Sequence, residues 1–167
     1  VIAGDVTDPV LLNRIMGRQI EILNSDEALI TAGAGENWHE FVLWTLSEGW
    51  FGLENLALIP GTVGASPIQN IGAYGVEMCQ RFHSLEAFDA RSGEWRNLSR
   101  EECRFGYRHS IFKETEGAGY IVVSVTFRLS RIPSLVIDYG DIRTQLNDSN
   151  ITDPTPIDVC NAVQTIR

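Results

Sequence analysis

The sequence has no apolar run of about 18 residues and no leader-like start, so it predicts neither a membrane span nor export. Its cysteines, Cys79, Cys103 and Cys160, are odd in number and widely spaced. We expect reduced thiols in a cytoplasmic protein rather than a disulfide framework. The three histidines show no metal-ligand spacing, and no metal site is predicted.

Basic residues are also scarce. Lys and Arg number 13 against 22 Asp and Glu, which gives a formal net charge of −9. Nucleic acid and anionic membranes repel such a protein, so we expect neither as a partner. The length fits one domain that buries about 70% of its unfolded-state surface, and we expect a monomer.

Charge is absent altogether from one long stretch. Between Glu54 and Glu77 no residue is charged, and residues 59–75, here called the neutral loop, contain four glycines and two prolines. Proline lacks a ladder donor and glycine weakens helices and strands, so a continuous helix or central strand is excluded. The apolar side chains of the segment argue against disorder.

Long loops in compact domains are usually functional. A glycine-rich, uncharged loop suits a large, flat, partly apolar ligand with polar edges. Ser66, Gln69, Asn70 and main-chain amides offer hydrogen bonds to ring heteroatoms or phosphate oxygens. The alternative is a buried connector that packs under a sheet.

Around this loop the sequence predicts an α+β fold with a mainly antiparallel sheet and few helices. Residues 19–34 have the pattern of a hairpin with its turn at 24–26, and strands are expected at 84–90, 95–98 and 120–129. In the last strand the odd-numbered residues from Ile121 to Leu129 are predicted to face the core.

Helices are expected from Asn37 to about residue 48 and from Thr155 onwards, each with a capping residue at its start. Before the first helix, residues 33–35 read Gly-Ala-Gly. Such a turn can hold an anion at a helix N-terminus, but an ordinary turn is the other interpretation.

A second unusual segment, residues 104–113, concentrates aromatic and cationic side chains in an acidic protein. Arg108, between Tyr107 and His109, is the residue we would choose to bind a carboxylate in a bidentate fork. The alternative is a solvated turn in which Arg108 pairs with a surface acid.

These segments resemble the MurB family, the UDP-N-acetylenolpyruvoylglucosamine reductases. Three landmarks carry the resemblance in the family's order: residues 52–61 with 66–75, residues 105–113, and residues 139–141. The resemblance implies an FAD-binding domain of the PCMH, vanillyl-alcohol-oxidase-like type over residues 1–132. It also implies the start of a substrate-binding C-terminal domain over residues 133–167.

The implied enzyme is UDP-N-acetylmuramate dehydrogenase, an oxidoreductase of peptidoglycan precursor synthesis and hence of cell wall formation, cell shape and division. NADPH reduces FAD, and the flavin reduces the UDP-sugar substrate, UDP-N-acetylglucosamine enolpyruvate, to UDP-N-acetylmuramate. By resemblance, the FAD contacts are Ile59, Pro60, Gly61, Gly64, Ser66, Ile68, Asn70, Ile71, Gly72, Tyr74 and Val122.

Five further positions take roles from the resemblance. Arg108 matches the catalytic arginine, and Tyr107, Arg108 and Tyr139 match substrate-binding positions. Arg167 matches a basic residue near the cofactor. Family members often carry a hydroxyl where this chain has Ala65, so one hydrogen bond to FAD is expected to be missing.

The resemblance also has gaps. The family's N-terminal Gly-x-Gly-Ser-Asn phosphate loop, its downstream Gly-Ser-Phe-Phe-Lys-Asn-Pro segment with a proton-donating serine, and a later glutamate have no counterpart in these residues. We therefore expect a fragment, truncated at both ends, without turnover of its own. The competing hypothesis is a non-catalytic nucleotide- or sugar-binding module that uses the same loop, and a third is another oxidoreductase of this fold.

Overall fold

The computed structural model describes residues 10–167. The first nine residues of the predicted domain 1–132 lie outside the described residues. No helix in the described part is long and apolar enough to cross a membrane.

Seven strands and three helices make up the described fold. The strands are β1 (Arg18–Ile22), β2 (Glu27–Gly33), β3 (Gly72–Ala73), β4 (Val76–Glu77), β5 (Phe82–Asp89), β6 (Glu94–Ser99) and β7 (Tyr120–Ser130). The helices are α1 (Trp38–Ser47), α2 (Ile142–Asp148) and α3 (Pro156–Ile166). Four short 3-10 turns lie between them, one of which, Val63–Ala65, is inside the neutral loop.

Five strands form one antiparallel sheet in the order β1-β2-β7-β5-β6, and β3 pairs with β4 separately. The predicted α+β class and the hairpin near residues 19–34 are confirmed. Helix α1 covers the sheet through Trp38 and Phe41, whose rings lie 5.8 and 5.5 Å from the ring of Phe127 on β7. These aromatic contacts form the centre of the core.

The prediction that the odd-numbered residues of β7 face the core is wrong at the N-terminal end of the strand. Ala87 on β5 pairs with Val122, while the preceding Glu86 pairs with Ser124, so Val123 is an extra residue in a β-bulge. The bulge reverses the alternation. Val122 is therefore buried and Val123 only half-buried, whereas residues after the bulge follow the prediction.

Helix α2 was not predicted, because its seven residues are mostly polar. Only Ile142 and Leu146, four positions apart, are buried, and this spacing makes a narrow apolar stripe. Helix α3 is confirmed with its cap: the Thr155 hydroxyl accepts from the Asp158 amide at 3.3 Å, and the Asp158 carboxylate accepts from the Thr155 amide at 2.9 Å.

The connection from β2 to α1 is a tight turn whose packing and bonds favour the interpretation of residues 33–35 as an ordinary turn. A Cβ on Gly35 would lie 2.7 Å from the Arg14 Cα, so the glycine allows residues 14–16 to pass close by. The Glu36 carboxylate accepts from the Gly17 amide at 2.8 Å and from Arg18 at 2.7 Å. Glu36 thereby ties the edge strand β1 to this turn.

Glu36 makes stability depend on pH. Burial opposes its ionisation, but the hydrogen bonds from Gly17 and Arg18 outweigh burial and lower the pKa of Glu36 below its ordinary value near 4.5. Ionised Glu36 therefore adds stability above about pH 4.5, and this contribution is lost as pH falls through the lowered pKa.

We expect Glu36→Gln to reduce the free energy of unfolding by roughly 1–3 kcal/mol at neutral pH and by less in acid.

Denaturant unfolding from neutral to acidic pH measures this difference. Glu21→Gln, at an exposed position on β1, is the control and should change stability by less than about 0.5 kcal/mol. An equal loss for Glu36→Gln at every pH would contradict the ion-pair explanation.

All three cysteines are free and buried. Burial is the main cause that raises the pKa of Cys103 to about 12 and of Cys160 to about 11, and burial also raises the pKa of Cys79. Thiolate is therefore scarce in the folded protein.

The reactivity of the three thiols tests this placement. At about pH 8 we expect a colorimetric disulfide reagent to label them slowly in the folded protein and completely after denaturation. Fast labelling of the folded protein would contradict the buried placement.

Candidate functional site

The neutral loop begins with main-chain bonds to the connection before α1. The Val63 amide donates to the Glu36 carbonyl and the Gly64 amide to the Ala34 carbonyl, both at 2.9 Å. A Cβ on Gly64 would lie 2.5 Å from the Ala34 Cβ, so only glycine permits this approach. This part of the loop is packed as a buried connector would be.

The predicted FAD-contacting residues differ in exposure, and the structure orders them into three groups. Exposed are Pro60 and Gly61; half-buried are Ile59, Ile68, Gly72 and Tyr74; buried are Gly64, Ser66, Asn70, Ile71 and Val122. The buried group shapes the loop, and the other two groups give it an uncharged, partly apolar outer surface.

Asn70 holds the neutral loop against the segment that carries Arg108. Its carboxamide nitrogen donates to Glu77 and to the Gly106 carbonyl, each at 3.1 Å, and its oxygen accepts from the Cys79 amide at 3.0 Å. The Ser66 hydroxyl similarly donates to the Val63 carbonyl at 2.7 Å. Of the three polar side chains predicted for ligand bonds, Ser66 and Asn70 therefore maintain the shape of the loop, and Gln69 is exposed.

The last four residues of the loop, 72–75, border an open cleft of about 620 Å³. Residues 72–77 form one wall, Tyr107 and Arg108 a second, and Tyr139 and Arg167 a third. The structure thus brings together the three segments that the sequence analysis singled out. Val122 and the first part of the neutral loop lie outside this cleft.

Arg108 is held beside the neutral loop by a carbonyl and not by an acid. Its Nη2 donates to the Gly72 carbonyl at 2.9 Å, and its own carbonyl accepts from Lys113 Nζ at 3.0 Å. Within residues 10–167 it forms no salt bridge, whereas nearby Arg104 pairs with Glu114 and Glu116. The alternative of a turn arginine paired with a surface acid describes Arg104 and not Arg108.

Left-handed backbone occurs both at the cleft and away from it. Tyr74 and Arg108, which line the cleft, have φ of 48° and 52°, and Asn70 has φ of 45°. Leu58, Arg104 and Asn150, which do not line the cleft, have φ of 57°, 51° and 57°. Such residues persist only where the surrounding structure over-determines them, so Arg108 is held in a fixed conformation, but the strain does not single out the cleft.

The cleft is locally cationic in an acidic chain. Arg108 and Arg167 face a single acid, Glu77, whose carboxylate already accepts from Asn70. The Arg167 guanidinium lies 5.6 Å from the centroid of the Tyr74 ring, within cation–π range. This arrangement favours an anionic ligand.

Sequence reasoning missed Asn55 and Lys113, which lie in the landmark segments but had been given no role. Asn55 bonds Tyr74 in the loop wall and Val136 in the segment that leads to Tyr139, and Lys113 fixes the main chain of Arg108. The described residues contain no group of three metal-ligating side chains.

Comparison with known proteins identifies the class first. Residues 1–99 match the family described as FAD binding domain, which is more than half of the chain, and the protein belongs to that family.

Particular relatives are then informative. The chain is 51% identical over 170 residues to the UDP-N-acetylenolpyruvoylglucosamine reductase of Paraburkholderia phymatum, covering 100% of this chain and 49% of the relative. It is 54% identical over 147 residues to the reductase of Chromobacterium violaceum, covering 86% and 42%. The crystal structure of UDP-N-acetylenolpyruvylglucosamine reductase (MurB) from Thermus caldophilus aligns with a TM-score of 0.60 at 26% identity, covering 82% of this chain and 42% of that one.

The chain spans about half the length of the curated relatives it matches. The predicted resemblance and the predicted fold class are confirmed by these matches. The relatives described above are named as reductases, so they give no support to a non-catalytic binding module.

The close approach of Gly64 to Ala34 can be tested by a substitution that adds one methyl group. We expect Gly64→Ala to lower the free energy of unfolding by about 1–3 kcal/mol, because the new Cβ overlaps Ala34. Gly106→Ala, whose Cβ would meet only His109 at 3.7 Å, should cost less than about 1 kcal/mol. Equal losses in denaturant titrations would show that the main-chain contact between the loop and Ala34 is not tight.

Proposed function

We propose that this chain forms one wall of the flavin site and part of the substrate site of an NADPH-dependent flavoenzyme. The enzyme reduces UDP-N-acetylglucosamine enolpyruvate to UDP-N-acetylmuramate, a step of peptidoglycan precursor synthesis that serves cell shape and division. The observation that carries the proposal is the cleft in which the neutral loop meets Arg108. The family membership and the relatives support it.

The neutral loop fits FAD in its chemistry. The isoalloxazine ring is flat and partly apolar, and the loop offers half-buried Ile59 and Ile68 and contains no charged residue of its own. Within the described residues the amides of Gly61 and Gln69 donate to no other group, so both are open to cofactor oxygens. When bound, FAD would take hydride from NADPH and pass it to the enolpyruvyl double bond.

The proposed FAD contacts are those named from the sequence. Ser66 and Asn70 use both their side chains and their amides within the protein and are almost completely buried, so their FAD contacts are proposed from the resemblance alone. Val122 is assigned an aliphatic contact from β7. Domain limits of 1–132 for FAD binding and 133–167 for the start of the substrate domain belong to the same proposal, as do a cytoplasmic location and a monomeric state.

Arg108 is the proposed catalytic residue. Hydride addition to an enol ether conjugated to a carboxylate moves electron density onto that carboxylate, and a fixed guanidinium stabilises the developing charge. The strained backbone of Arg108 and its bonds to Gly72 and Lys113 keep this group at the edge of the loop. Tyr107 and Tyr139 are assigned to the substrate, and Arg167 is assigned a position near the cofactor.

Arg108→Met, made in the complete gene product that contains these residues, tests the role. We expect a yellow protein whose reduced flavin is reoxidised by UDP-N-acetylglucosamine enolpyruvate roughly 10²–10³-fold more slowly. Flavin reduction by NADPH should change by less than about two-fold, because that step involves no substrate carboxylate. Stopped-flow absorbance of the flavin band measures both steps.

Arg104→Met is the control, because Arg104 lies four residues away and is paired with acids. It should leave both steps unchanged. A colourless wild-type protein would instead favour the nucleotide- or sugar-binding module. Reoxidation by another acceptor and not by the enolpyruvyl sugar would indicate a different oxidoreductase of this fold.

A further inference from the structure

Asn55 lies behind the cleft, where it cannot touch a ligand in it. It is the central residue of the 3-10 turn Glu54–Leu56, and only 2% of its surface is exposed. Leu53 and Leu56 on either side are in the hydrophobic core. The core therefore fixes the position of the Asn55 carboxamide.

The two hydrogens of that carboxamide nitrogen can serve one wall of the cleft and the segment that leads to another. Nδ2 donates to the Tyr74 carbonyl at 3.1 Å, within the neutral loop, and to the Val136 carbonyl at 2.7 Å. Val136 lies three residues before Tyr139. One buried amide group therefore joins the loop wall to the segment that carries Tyr139, which is otherwise distant in sequence.

The two walls also fit closely against each other. A Cβ on Gly75 would lie 3.2 Å from the Tyr139 Cβ, and a Cβ on Gly140 would lie 3.3 Å from the Tyr74 ring. Each wall thus presents a glycine to the tyrosine of the other. The contact sets the minimum separation of the walls, and the bonds from Asn55 prevent them from moving apart.

We propose that Asn55 is a positioning residue that sets the Tyr139 segment against the neutral loop, so that Tyr139 and Arg108 address the same bound molecule. The identity of that molecule rests on the proposed function. The positioning itself rests on the two hydrogen bonds and on the fit at Gly75 and Gly140.

Fluorine NMR of the complete gene product labelled with 3-fluorotyrosine reports on this geometry without activity. Asn55→Leu keeps the approximate size of the side chain and removes both donors. We expect the Tyr139 and Tyr74 resonances, assigned through Tyr→Phe variants, to shift and to change width. The Tyr107 and Tyr120 resonances should stay in place, because neither residue bonds to Asn55.

Two further variants separate positioning from a general loss of stability. Asn55→Asp keeps the shape of the side chain but places a carboxylate oxygen, which accepts, opposite the carbonyls of Tyr74 and Val136. It should therefore shift the same tyrosine resonances, even if Asn55→Leu fails to fold. Leu98→Ala, at a buried position on β6, is destabilising but remote, and it should leave the Tyr139 resonance unchanged. The proposal is overturned if Leu98→Ala produces the same shifts, or if a folded Asn55 variant produces none.

Kinetics gives a second measurement. We expect the KM for the UDP-sugar to rise roughly ten-fold in Asn55→Asp, with flavin content unchanged, because a misplaced Tyr139 weakens binding. Unchanged KM despite shifted resonances would overturn the functional part of the proposal. If the wild-type protein holds no flavin, the proposed function fails, whereas the fluorine experiment still decides whether Asn55 positions the segment.

Discussion

The main-chain contact between the neutral loop and the turn before α1 is the constraint on which the site depends. Gly64 meets Ala34 at a distance that excludes any side chain, and two amide-to-carbonyl bonds hold the chain there. Ala34 follows β2 directly, and its own amide donates to Val123 on β7. The loop is therefore positioned by the central strands of the sheet and not by its own sequence alone.

From that fixed start the loop is stabilised by buried polar side chains and not by regular secondary structure. Buried polar groups are stable only when they are hydrogen-bonded, and within the described residues every buried side-chain nitrogen and oxygen has a partner. Asn70 satisfies three partners from one carboxamide and so joins the loop to the Arg108 turn. The strained φ angles of Asn70 and Arg108 are maintained by these bonds.

Local patterns in the sequence predicted the hairpin, α1 and α3 because their signals lie within a few residues: alternation, capping and glycine stops. The bulge at Val123 escaped because it depends on how β7 pairs with β5, which is separated from it along the chain. Helix α2 escaped because its apolar stripe is only two residues wide. The grouping of Arg108, Tyr139 and the neutral loop followed from family resemblance, while the part played by Asn55 required the three-dimensional contacts.

The inward use of polar side chains also bears on Ala65, where the family resemblance led us to expect a hydroxyl. Ala65 is exposed at the end of the 3-10 turn, and its amide already donates to the Thr62 carbonyl. Replacing a hydroxyl by a methyl group there removes a potential contact to a ligand and leaves every bond that shapes the loop intact. A loop built on main-chain bonds, with its polar side chains turned inward, can therefore lose one outward hydroxyl and keep the surface it presents.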